Sequence, residues 1–151
     1  MNAVVIQRII RARPETVFSF FSDPTRWLLW QGVDGSVDLR PGGAFRVDVT
    51  GDGWAAGRFV EVDPPHRLVF TWGWEAEGNP VRPGSSTVEI DLRSAPEGTL
   101  LRLIHRDLPP DAQDVHGAGW EHYLGRLATR ARGGDPGPDP MARRDAASGD
   151  S

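Results

Sequence analysis

The chain contains no cysteine and no lysine. The first absence removes disulfides, thiolate nucleophiles, thiolate-ligated zinc and Fe–S clusters. The second removes Schiff-base chemistry and lysine-based phosphate loops, since all 17 basic residues are arginine. No apolar run approaches the roughly 20 residues that span a bilayer. The N-terminal stretch MNAVVIQRIIRAR is broken by polar residues and lacks the apolar core and cleavage site of a signal peptide. A formal charge of −4 without a basic patch argues against nucleic acid as a partner. No GxSxG elbow, glycine-rich phosphate loop, HxH or HxxxH spacing occurs. The expectation is a cytoplasmic protein with no membrane partner, no metal and no cofactor.

What is present is one long amphipathic segment, Asp111 to Arg132. At 100° per residue His116, Trp120, Tyr123, Leu124, Leu127 and Ala131 share one face, while Glu121, His122 and Arg126 mostly look away. Asp111 is placed to cap this helix after Pro109 and Pro110. Gly117, Gly119 and Gly125 each weaken it by about 1 kcal/mol relative to alanine. A helix with that burden must be held against a large apolar surface.

The upstream sequence supplies such a surface. A β-branched strand over Ala3 to Arg11 precedes two short helices, PETVFSFFS and one carrying Trp27, Leu28 and Trp30, ended by Gly32. Alternating segments separated by Gly, Pro and Asp turns follow: 36–40, 44–50, 55–62, 67–74, 86–92 and 99–107. Leu68, Phe70, Trp72 and Trp74 share one strand face, as do Leu101, Leu103 and His105. Glu75 to Ser85 reads as a mobile loop at a sheet end. Gly133 to Ser151 has too few apolar side chains to offset ordering and is expected to be disordered, leaving residues 1–132 as the domain. The order implies an α+β fold built on an antiparallel sheet.

The phrases PETVFSFFSDPTRW, RPGGAFRVDV, GRFVEVDPPHRLVFTWGW, STVEIDL, GTLLRLIHRDLP and HGAGWEHYLGRL occur in an order similar to the START-like (SRPBCC, Bet v 1-like) superfamily. Within it, the chain resembles bacterial stand-alone members of the Activator-of-Hsp90-ATPase homologue group. The resemblance implies a helix-grip fold: a curved antiparallel sheet of about six or seven strands around the long C-terminal helix, with an apolar pocket between them. The superfamily includes lipid carriers, plant-hormone receptors and polyketide aromatase/cyclases, so fold alone does not fix function. The co-chaperone activity belongs to eukaryotic proteins with an additional N-terminal domain, and nothing corresponding to it is expected before Ala3.

The candidate ligand-binding residues are Trp30 on the second short helix and Phe45, Phe59, Phe70, Trp72 and Trp74 on the strands, with His105. From the helix come His116, Trp120, Tyr123 and Leu124. Indoles and phenyl rings offer flat surface for a small hydrophobic or aromatic molecule. His105 and His116 are candidates for polar anchors, or for a base. The leading expectation is a binding module serving sequestration, sensing or resistance. The alternatives are a cyclase or dehydratase working in the same cavity and a chaperone-interacting protein. A homodimer is also allowed.

Overall fold

The computed structural model describes residues 3–142. Its elements are β1 (Val4–Ile10), α1 (Pro14–Ser22), α2 (Pro24–Trp27), β2 (Asp34–Val37), β3 (Ala44–Asp48), β4 (Trp54–Asp63), β5 (Arg67–Trp74), β6 (Ser86–Ala95), β7 (Gly98–Arg106) and α3 (Pro110–Ala131). The seven strands form one antiparallel sheet in the order β1-β7-β6-β5-β4-β3-β2. Period-two alternation decides which side chains face inward. On β6 and β7 it buries Val88, Ile90, Leu92, Leu101, Leu103 and His105 while Glu89, Asp91 and Arg102 face out.

β4 is bent by a bulge between Phe59 and Glu61, which leaves Val60 as the extra, exposed residue. Such an insertion sharpens local twist and helps wrap a sheet around a helix. Gly73 on β5 lies against the Arg82 carbonyl, so a Cβ there would collide with backbone. That close approach brings the segment 75–85 back over the strand end, where Trp74 N–H donates to the Val81 carbonyl and Val81 is buried.

Pro14 occupies the first turn of α1, which buries Val17, Phe18, Phe20 and Phe21. Asp23 caps α2 by accepting from the Thr25 N–H at 2.9 Å. The sequence suggests that this second helix continues through Trp30, but it ends at Trp27. Leu29 and Trp30 instead bond the carbonyls three residues back, a tighter turn than an α-helix. Trp30 Nε1–H donates to the Phe20 carbonyl at 2.9 Å, drawing the indole under α1. β2 likewise runs Asp34–Val37 rather than 36–40, because the chain from Asp38 to Gly43 is taken up by a turn.

α3 begins at Pro110, with no side-chain cap; Asp111 sits in its first turn, where it complements the helix dipole. Its buried face consists of Ala112, Trp120, Tyr123, Leu124, Leu127 and Ala131. After α3 the chain turns back along it. Arg126 Nη2 donates to the Gly137 carbonyl at 2.9 Å, and His122 Nε2 lies 2.8 Å from Asp139 Oδ1. His122, expected to be solvent-exposed, is therefore half-buried under this segment. The residues 133–142 are held by polar contacts, which a count of apolar side chains does not register. The rest of the segment read as disordered, 143–151, lies outside the described residues.

Candidate functional site

Alternation on β3, β4 and β5 and the 3.6-residue period of α3 send their large side chains into the same space. The rings form a continuous series. Trp30 stacks on Trp27 at 5.7 Å between centroids, and Trp27 stacks on Phe45 at 5.7 Å. Phe45 meets Phe59 at 5.7 Å and Phe70 at 5.1 Å. Trp72 then touches Trp74 at 5.5 Å and Trp120 at 5.2 Å. Edge-to-face and offset geometries of this kind add to simple area burial. From Trp30 to Trp72 these side chains are at most 2% exposed. In this structure they fill the interior by contacting one another.

The polar groups collect at the end of the interior beneath the first half of α3. Trp120 Nε1–H donates to His105 Nδ1 at 2.9 Å, which leaves the ring proton on Nε2. That proton faces Ser86 Oγ at 2.8 Å, and Ser86 Oγ–H donates to the Trp72 carbonyl at 2.7 Å. His116 is arranged the opposite way. Its Nε2 accepts from Trp74 Nε1–H at 3.0 Å, so Nδ1 carries the proton and donates to the Ala112 carbonyl at 2.8 Å. The two imidazoles meet edge to face with centroids 5.3 Å apart.

Burial and the neighbouring His116 push His105 down to about 3. Burial likewise lowers His116, partly opposed by its bond to the Ala112 carbonyl. Both rings are thus neutral near pH 7, and both nitrogens of each are engaged. A general base needs a free nitrogen directed at the reacting proton. Neither ring offers one in this arrangement; what they do is hold two indoles, Trp120 and Trp74, and Ser86 in register. Among the described residues, no three His, Asp or Glu side chains gather to hold a metal ion.

Of the candidate residues, Tyr123 stands apart. Its ring packs on His122 at 4.7 Å and its hydroxyl approaches Asp139; burial, then that carboxylate, raises its pKa. Leu124 is fully buried in the apolar core beside it. Trp74 and His116 are only half-buried and bring the aromatic series to the surface. Next to them Arg46 clamps Glu75 with two bonds of 2.7 Å and lies over the Trp54 ring, fixing the start of the segment 75–85. The Glu75 carboxyl is lowered, mainly by that hydrogen bond.

Three participants are absent from the sequence-based set: Trp27, Gln31 and Ser86. Trp27 sits mid-series, its Nε1–H donating to Gln31 Oε1 at 2.9 Å. Ser86 had a readable signal, since alternation places it on the inward face with Val88 and Ile90. Trp27 is legible as an aromatic of the second short helix, but nothing local shows that α2 closes on it and packs it against Phe21 and Phe45.

A seven-stranded antiparallel sheet gripping a long C-terminal helix, with two short helices inserted after the first strand, defines a helix-grip protein of the SRPBCC (Bet v 1-like) class. The chain belongs to the Activator of Hsp90 ATPase homolog 1-like family, which matches residues 11–132. An AHSA1-like protein from Rhizobium etli is 47% identical, with a TM-score of 0.71, over 93% of this chain and 89% of that one. CalU16 from Micromonospora echinospora is 31% identical, with a TM-score of 0.73, over 90% and 69% of the two chains. DynU16, a protein in the dynemicin biosynthetic locus, is 26% identical with a TM-score of 0.78, over 90% of this chain and 49% of its own. No curated protein matches the chain. No helix among the described residues is long and apolar enough to cross a membrane.

Proposed function

We propose that the protein binds a small hydrophobic or aromatic molecule between α3 and the sheet. The observation that carries this reading is the aromatic series that runs from a fully buried interior to the surface at Trp74 and His116. At the surface the Trp74 Nε1–H to His116 Nε2 bond joins sheet to helix, and deeper in the Trp120 Nε1–H to His105 Nδ1 bond does the same. Two glycines follow His116 on α3: a Cβ at Gly119 would meet nothing within 4 Å, and one at Gly117 only Val4 at 3.8 Å. Packing does not demand glycine at either position, and each weakens the helix. Parting the Trp74–His116 bond and tilting the first half of α3 would let a flat molecule slide between the rings. The location of DynU16 in the dynemicin biosynthetic locus agrees with this reading.

A bicyclic ligand burying roughly 300 Å² of apolar surface gains about 7–8 kcal/mol at 25 cal/mol/Å². Lost translational freedom and separation of the packed rings consume part of that, so micromolar affinity is expected. The test is titration with tetralin followed by tryptophan fluorescence, with recovery of the ligand after long incubation. Saturable quenching and recovery of unaltered tetralin support binding without chemistry. A flat titration overturns the proposal.

A further inference from the structure

Trp72 is 2% exposed and lies among Phe45, Phe70, Trp74, His105 and Trp120, yet its indole Nε1–H has no acceptor among the described residues. The neighbouring indoles differ. Trp120 donates to His105, Trp74 to His116, Trp27 to Gln31 and Trp30 to the Phe20 carbonyl. The two polar side chains linked to this strand end are directed elsewhere: His105 Nδ1 accepts from Trp120, and Ser86 Oγ lies between His105 and the Trp72 carbonyl. A buried donor without an acceptor is costly, and a phenyl ring would fill an apolar site without that cost. Tryptophan at this position makes chemical sense when something else brings the acceptor.

We infer that the ligand of this interior is an aromatic or alicyclic molecule carrying a neutral oxygen acceptor, such as a ketone, which takes the hydrogen bond from Trp72 Nε1–H. The inference rests on the binding reading above and adds the class of ligand. Two features favour a neutral acceptor over an anion. The surrounding side chains are uncharged, the two histidines being neutral, and an ion there would be desolvated without a counter-charge. A hydroxyl donor finds no free nitrogen on His105, the imidazole beside Trp72, because Trp120 and Ser86 hold both of its ring nitrogens. Trp72 is on this account a specificity-determining residue.

The probes are 1-tetralone and tetralin, which differ by one carbonyl group. The quantity measured is the ratio of their dissociation constants in the wild type and in Trp72→Phe, which keeps the ring and removes the N–H. Comparing ratios cancels the ketone's greater cost of leaving water. The preference for the ketone should fall about five- to tenfold in Trp72→Phe, the size expected for loss of one neutral hydrogen bond in a buried site. In the wild type, 1-tetralone should move the Trp72 indole N–H resonance downfield, and tetralin should not. That second measurement decides the matter if Trp72→Phe fails to fold. Equal ratios with an unmoved indole resonance overturn the inference while leaving the binding reading in place. Failure of both compounds to bind the wild type overturns the binding reading, and this inference with it.

Discussion

Lowering the pH from about 7.5 to about 5 isolates the contribution of His105. In the folded chain burial holds this imidazole neutral, with its pKa pushed from 6.5 to about 3. The unfolded chain takes up a proton near 6.5 that the native state refuses. Stability is therefore unaffected by this group above pH 6.5 and declines as pH falls from 6.5 toward 3. At about pH 5 the gap is about 1.5 pH units, which at 1.36 kcal/mol per unit removes about 2 kcal/mol. His116 acts in the same direction, so the comparison needs a variant that silences only one group. In His105→Gln, the amide oxygen can accept from Trp120 Nε1–H and the amide nitrogen can donate to Ser86 Oγ, without titrating. Urea unfolding at both pH values should show the wild type losing about 2 kcal/mol more than His105→Gln. Equal losses would refute the neutral, doubly bonded His105 described here.

The other substitutions follow from contacts. Gly119→Ala meets nothing within 4 Å and should raise stability by up to about 1 kcal/mol, read from thermal unfolding, while slowing ligand association in stopped-flow. Gly73→Ala drives a Cβ into the Arg82 carbonyl and should lower the melting temperature sharply or prevent folding. Trp120→Ala should cost on the order of 3–5 kcal/mol in urea unfolding, since it both opens a cavity and removes the donor to His105. Truncation after Arg132 deletes the Asp139 partner of His122 and the Gly137 partner of Arg126, and removes the wall that residues 135–142 give to a groove of about 490 Å³ beside Leu28 and Leu29. We propose that the folded unit extends to Ala142, so this truncation should lower the melting temperature by several degrees.

Much of this architecture can be read without coordinates. Glycine and proline turns separate segments whose alternation assigns Leu101, Leu103 and His105, or Phe70 and Trp72, to one face. The face of α3 follows from a 3.6-residue period. Hydrogen-bond partnership is another matter. Trp74 and His116 are 42 positions apart, and their meeting depends on the register of β5 and the axial placement of α3 together. Nothing local to either residue encodes that. His122 looks outward by helical phase alone, and only the return of 133–142 along α3 covers it. The Asp23-Pro24 start signal and the stop at Gly32 place Trp30 in a helix, whereas tertiary packing under α1 tightens that turn.

A ligand bound between α3 and the sheet would lie among the rings. Intermolecular nuclear Overhauser effects from bound 1-tetralone locate it directly. Contacts are expected from its aromatic protons to the side chains of Trp72, Trp120 and Leu124. Contacts confined to the outward-facing Val5 and Ile9, which are 52% and 46% exposed, would contradict it.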